Sequence, residues 1–429
     1  MLVHSEHPTA RLRYVVEHVF TRMLGWPVEW VLSEAEFQAA DGPKLVHAVE
    51  PMVDAFHVPD SGWLRLMGVP TGPVHCQGEG RGFKTFQVGD DQDVFASIFH
   101  LLALTDELGS RDRDAHGRVP AASLAIVEHH VEHLPIVDHW VLDLARRMRA
   151  RFPELPEPKR CFRHVLTVDV DNGLKYIGRP FHRAIGASVK DLIMNGPGAV
   201  AQRWAVRSGS RSDPYMILPE RLAGARSHVD RTIAFFLMRG QGRFDHAAGH
   251  THPAFRSLVQ DVSKYAEVGL HPSYHASERI GRCEKERTDL EVLCGSRVLV
   301  NRQHFLRWDL PSTLRSLADQ GFTEDHTLGF TDRVGFRAGT CTPFPWFDLD
   351  RNEATDLMLW PFAAMDSAVH EQMGVPREQA AARFQEIADA VKSVDGTFVS
   401  VWHDRYLSGH GEFSAWPEVM EKVVQQAGR

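Results

Sequence analysis

The sequence predicts an α/β protein in two parts, an N-terminal α/β unit over residues 1–155 and a larger unit of alternating strands and helices over 160–429. Three observations carry this. At 429 residues the chain exceeds what one ordinary core organises. The segment Pro153-Glu154-Leu155-Pro156-Glu157-Pro158-Lys159-Arg160 holds three prolines, which break both helix and strand and mark a boundary. From Phe162 onward, apolar runs of strand length alternate with amphipathic helical patterns, the grammar of a mainly parallel sheet or barrel.

Within the first unit, Leu12, Val15, Val16, Val19, Phe20 and Met23 recur at helical spacing, which predicts a helix over 10–24 packed on a core. Residues 28–32 and 44–49 read as strands, and 94–108, 121–131 and 135–152 as helices. Between them, Asp112 to Pro120 is a charged loop with turn chemistry. His129, His130, His133 and His139 lack a carboxylate or cysteine at matching spacing and read as ordinary helix residues. In the second unit, strands are expected over 165–170, 232–238, 267–271, 297–302, 321–326 and 397–403, and helices over 184–193, 255–266, 279–293, 311–320 and 377–394.

Composition narrows the function. A hydrophobic fraction of 43% supports a packed globular protein. A net charge of −8 argues against holding nucleic acid or anionic lipid by bulk electrostatics, leaving room only for local basic patches, and favours a small or neutral polar substrate. No segment reaches the roughly 18 apolar residues of a membrane span. Residues 1–13 lack the apolar core of a secretory signal. Cys76, Cys161, Cys283, Cys294 and Cys341 form no CxxC pair, as expected of reduced thiols, so the expected address is cytoplasmic.

The chemistry concentrates at predicted strand ends. Gly269-Leu270-His271-Pro272-Ser273-Tyr274-His275 places two imidazoles four residues apart, and a water-activating metal needs such neutral nitrogens on a stiff frame with a coordination position left open. Upstream, Thr167-Val168-Asp169-Val170-Asp171 delivers two carboxylates from the end of a buried strand, one to bind metal and one to reach its water. Arg302, Asp325 and His403 also fall at strand ends, where variable loops sit on a rigid base in folds of this class.

These two motifs together resemble the first two motifs of the NodB-type polysaccharide deacetylases, carbohydrate esterases that include chitin and peptidoglycan deacetylases, over roughly Arg160 to the C-terminus. The resemblance implies a distorted (β/α) barrel and a divalent metal, usually Zn²⁺. It also implies Asp169 as general base, with Asp171, His271 and His275 as metal ligands. It assigns Arg302, in Val300-Asn301-Arg302-Gln303-His304-Phe305, to holding the base, although the proline and glycine that usually follow that arginine are absent here. Asp325 is the nearest match to the aspartate that polarises the acid histidine. His403, in Val399-Ser400-Val401-Trp402-His403, matches that acid. Tyr274, Arg337, Trp402 and Asp366 complete the candidate substrate-binding set. The Asp114-x-His116-Gly117-Arg118-Val119-Pro120 loop resembles the uncharacterised domain that precedes the deacetylase domain in a group of bacterial proteins.

The expected function is metal-dependent removal of an N-acetyl group from an amino sugar in a saccharide precursor, without nucleic acid or stable membrane insertion. Hydrolysis of a cyclic amide and glycan binding by a degenerate site are the alternatives. Oligomeric state is not legible.

Overall fold

In a computed structural model, residues 1–69, 74–240, 242–276 and 281–428 are described. Leu2–His4 (β1), Glu29–Trp30 (β2), Lys44–Ala48 (β3) and Phe56–Pro59 (β4) form a parallel sheet in the order β2-β1-β3-β4. Ala10–Val16 (α1) starts at Thr9, whose side chain accepts from the Leu12 N–H and so satisfies one of the free amides of the first turn. It continues as a π-helical stretch over Glu17–Leu24, stopped by Gly25 at φ 71°. Val94–Leu102 (α2) and Ile136–Arg151 (α3) complete the main helices of this unit. The helix expected over 121–131 is two short turns, 121–123 and 125–128.

In the second unit, Arg163–Val170 (β5), Arg231–Leu237 (β6), Glu267–His271 (β7), Val300–Asn301 (β8), Glu324–Asp325 (β9), Phe344–Asp348 (β10), Glu353–Leu359 (β11), Ala364–Met365 (β12) and Thr397–His403 (β13) make one sheet in the order β10-β11-β9-β8-β7-β6-β5-β13-β12. Every ladder is parallel except β10 with β11. Phe181–Asn195 (α4), Pro197–Arg207 (α5), Pro253–Val262 (α6), Arg282–Cys294 (α7), Ser312–Asp319 (α8), Arg377–Lys392 (α9) and Trp416–Ala427 (α10) are the longer helices. The expected start of α7 at Arg279 lies outside the described residues. Among the described residues no ladder joins β10 to β12, so the hydrogen-bonded sheet is open rather than a closed barrel.

The six strands expected from Phe162 onward are all present. β10, β11 and β12 were not expected, and each hides for a physical reason. β10 carries Pro345, which a sheet tolerates at its edge. β11 reads Glu-Ala-Thr-Asp before its apolar end, and β12 has two residues. At the centre, Gly269 on β7 leaves room for the ring of its β6 partner Phe235, to which a Cβ there would stand 2.4 Å away.

The two units share packing. Tyr14 on α1 donates its hydroxyl hydrogen bond to the Pro345 carbonyl at 2.7 Å and meets the Phe347 ring edge-on at 5.1 Å. Buried Asp138 on α3 accepts from Arg160 at 2.7 Å, Thr340 at 2.7 Å and the Cys341 N–H at 3.1 Å. One hydrophobic cluster runs from Val3 to Ala427. Among the described residues no helix is long and apolar enough to cross a membrane.

Candidate metal centre and active site

Parallel strands end at one rim of their sheet, and β5, β7 and β8 deliver their C-terminal residues to the same place. One ligand atom each from Asp171, His271 and His304 falls within 4.8 Å of the others. His271 Nε2 is 3.4 Å and His304 Nε2 3.7 Å from Asp171 Oδ1. The opposite ring nitrogens are occupied: His271 Nδ1 donates to the Arg302 carbonyl at 2.6 Å, and His304 Nδ1 to Asp245 Oδ1 at 3.1 Å. Each bond fixes its ring and leaves Nε2 with a lone pair toward the carboxylate.

Asp171 Oδ1 is buried with no hydrogen-bond partner. Burial raises its affinity for a proton, but the imidazoles of His271, His304 and His403 facing it outweigh this and hold the carboxyl well below the usual range. Two imidazoles anchored through Nδ1, one ionised carboxylate and a buried oxygen lacking a partner fit the donor set of a divalent cation such as Zn²⁺. In a second group, His47, Asp60 and Asp93, both carboxylates are already engaged: Asp93 takes the Ala96 and Ser61 N–H groups, and Asp60 pairs with Arg65, while His47 Nδ1 is buried without a partner.

Around the first group stand a carboxylate and an imidazole, each with a holder. Arg302 is wholly buried, and its Nη1 donates to Asp169 Oδ1 at 2.7 Å and Thr167 Oγ1 at 2.9 Å while Nε donates to the His326 carbonyl at 2.9 Å. On the adjacent strand, in register with Asp169, His403 donates from Nδ1 to Asp366 Oδ1 at 2.5 Å. Burial opposes the imidazolium, but Asp366 prevails and the His403 pKa is pushed up to about 9. Asp169, Asp171, His271, His304 and His403 border a cleft of ≈ 610 Å³, with Arg302 and Asp366 buried behind Asp169 and His403.

The structure brings Asp169, Asp171, His271, Arg302 and His403 together as the sequence led us to expect, and departs from expectation at four positions. His275 is not brought to the cluster. Residues after His271 turn instead of continuing as helix, so the four-residue spacing no longer implies one face, and His275 stands exposed beside Tyr274. His304 occupies the place instead. Asp325 does not reach His403: β9 is separated from β13 by four strands, and its carboxyl is buried on Asn301 Nδ2 at 2.6 Å and Thr327 Oγ1 at 2.8 Å, with burial pushing its pKa up to about 6. Asp366, read as a substrate contact, follows β12, the direct neighbour of β13, and holds His403 instead. Trp402 alternates away from His403 along β13 and stacks on Phe384 at 4.7 Å, fully buried.

Arg337 borders the cleft but is bound to Glu107 at 2.7 Å and the Val119 carbonyl at 2.8 Å. Tyr274 meets the N-terminal unit: its hydroxyl lies 2.9 Å from His116 Nδ1. From the same loop, Arg118 donates to the Phe305 carbonyl at 2.8 Å, and Arg307 donates to the His116 carbonyl at 2.9 Å. Phe305 and Leu306 adopt φ of 60° and 52°, a left-handed conformation that costs such residues roughly 1–2 kcal/mol each. The bonds from the loop hold this turn in the segment where the expected proline and glycine are missing. Sequence reasoning missed His304 and Asp245. His304 sits two residues past Arg302 at a strand end, which is a usable signal, whereas nothing local marks Asp245.

Comparisons with solved structures return polysaccharide deacetylases over about 62% of the chain. A Mycobacterium smegmatis protein classed by inference as a polysaccharide deacetylase is 14% identical, with a TM-score of 0.40, covering 62% of this chain and 84% of that one. A polysaccharide deacetylase from Bacillus cereus is 13% identical, TM-score 0.31, covering 62% and 87%. The allantoinase PuuE is 12% identical, TM-score 0.36, covering 61% and 83%. Residues 1–153 match the family model described as "Family of unknown function (DUF7033)". A comparison with curated proteins returns no match.

Proposed function

We propose that this chain is a metal-dependent amide hydrolase that removes an N-acetyl group from an amino sugar, with 160–429 as a distorted (β/α) hydrolase unit and 1–155 as an accessory unit. One observation carries the reading. A three-residue group (Asp171, His271, His304) shares one cleft with a carboxylate that a buried arginine holds (Asp169, by Arg302) and an imidazole that a buried carboxylate holds (His403, by Asp366).

A divalent cation, most simply Zn²⁺, held by Asp171, His271 and His304 would polarise the acetyl carbonyl and make water acidic enough to attack at neutral pH. Asp169 takes the proton of the attacking water. The Arg302 guanidinium orients its carboxylate and leaves Oδ2, which faces His271 Nε2 at 3.9 Å, as the free oxygen. His403, charged at neutral pH and anchored through Nδ1, presents Nε2–H to the departing amine. The cleft admits a saccharide unit, and His116 and Arg118 of the N-terminal unit form part of its wall.

The test is acetate release from N-acetylated amino sugars and their oligomers by metal-analysed protein, beside Asp169→Asn. Acetate release by wild type and its loss in a variant with unchanged metal content supports the reading. Full activity in Asp169→Asn rejects it.

A further inference from the structure

Helix α4 is seated on the molecule by very little: among its residues only Ala184 is buried. Six of the twelve large apolar side chains that stand exposed among the described residues lie on it: Phe181 (60%), Ile185, Val189, Leu192, Ile193 (78%) and Met194. At 3.6 residues per turn, Phe181, Ile185, Val189, Leu192 and Ile193 share an arc of about 120°. Asp191 faces away from that arc and is bound by Arg203 of α5 at 2.6 Å, which ties the two helices into a hairpin.

The charge of this segment is opposite to that of the chain. Residues 175–211 contain seven Lys or Arg against the single Asp191, in a protein of net charge −8. Arg183 and Lys190 are exposed on the same helix, about 60–80° beyond one edge of the apolar arc. Trp204 meets Phe181 edge-on at 5.7 Å, where the apolar face turns polar. An exposed apolar stripe, a basic flank and a bordering indole are the features of a helix that lies in a lipid interface. Two copies of this face would bring like charges together, which disfavours self-association.

The hairpin grows from the active-site rim. Asn172, next to Asp171, donates its backbone N–H to Asp404, next to His403, at 2.9 Å, and Arg179 at the root of the hairpin donates to Asn172 Oδ1 at 3.3 Å. We infer that the α4–α5 hairpin docks the protein on an anionic lipid bilayer, on the side of the molecule where the cleft opens. The inference does not rest on the hydrolase reading, and its readout is binding.

Vesicle flotation tests it with the full chain, using phosphatidylcholine vesicles with and without phosphatidylglycerol at low and high salt. Wild type is expected to float with the anionic vesicles and to be released by salt. Arg183→Gln with Lys190→Gln is expected to lower binding roughly tenfold, and Ile185→Glu with Ile193→Glu to abolish it. Unchanged circular dichroism and unfolding midpoints certify the variants. Failure of wild type to bind anionic vesicles overturns the inference, as does binding that ignores the substitutions. A dimer in light scattering that Ile185→Glu with Ile193→Glu converts to monomer, without vesicle binding, assigns the face to a second copy and likewise overturns it.

Discussion

Asp366 grips His403 twice, accepting from the ring Nδ1 at 2.5 Å through one oxygen and from the backbone N–H at 2.7 Å through the other. The carboxylate therefore sets both the orientation of the imidazole and its charge. Asp366→Asn keeps the shape and removes the charge that lifts the His403 pKa to about 9. A raised pKa keeps the imidazole protonated as pH climbs through neutrality, so the loss of acid function on the alkaline side should move to lower pH in the variant. Rates for hydrolysis should fall by roughly 10²-fold, the scale of general-acid assistance, with KM changed little. A pH–rate profile whose alkaline limb stays in place in Asp366→Asn would contradict this.

Metal content separates the two histidine candidates. If His304 is the third ligand as proposed, His304→Ala should lower metal affinity by well over the roughly 10–100-fold seen for outer-shell partners. His275→Ala, at an exposed position, should bind metal as wild type does. Elemental analysis after dialysis reads the difference, and metal loss in His275→Ala alone would reverse the ligand assignment.

His116, whose Nδ1 meets the Tyr274 hydroxyl, lines the cleft and makes the N-terminal unit part of its wall. His116→Ala should raise KM for oligosaccharides by roughly tenfold, about the net value of a hydrogen bond, while kcat and bound metal stay near wild type. Equal kinetics on every chain length would show that this wall does not touch substrate.

Two buried histidines predict acid sensitivity. His18 packs between Tyr14 and Phe344 with neither ring nitrogen hydrogen-bonded, and burial lowers its pKa from 6.5 to about 3. His164, buried with Nε2 at 3.0 Å from Ser400 Oγ, is also lowered to about 3. The folded chain keeps both neutral while the unfolded chain protonates them, so stability is lost as pH falls from 6.5 toward 3, by about 2 kcal/mol per histidine at pH 5. His18→Leu should remove its share of that slope without a penalty at pH 7.5. Urea unfolding at pH 7.5 and pH 5 measures it, and an unchanged slope in the variant would clear His18 of the effect.

Much of the site was legible because its residues obey strand periodicity. Asp169 and Asp171 sit two apart at the end of an apolar run, Arg302 and His403 end similar runs, and the sheet collects them at one rim. The geometry parts from the sequence pattern where residues from different elements meet. His275 looked like the second imidazole by its spacing, but the chain turns after Pro272, and the ring that faces His271 and Asp171 is that of His304, thirty-three positions beyond His271. Asp325 ends a strand and looked suited to polarise His403, yet strand order, which no local pattern records, puts Asp366 beside it. Trp402 shows the limit from the other side, since one step along a strand reverses the face. The open sheet order and the late strands β10 to β12 depend on partners distant in sequence and left no periodic trace.

Phe305 and Leu306 hold a left-handed turn that the Arg118 loop braces from outside their own unit. The correct angle of His304 is thus a loan from the N-terminal half. A chain severed at Pro153 to Arg160 would keep every ligand in its sequence and still let that turn relax. A substitution that loosens the Arg118 loop therefore loosens the seat of His304, although the two lie in different units.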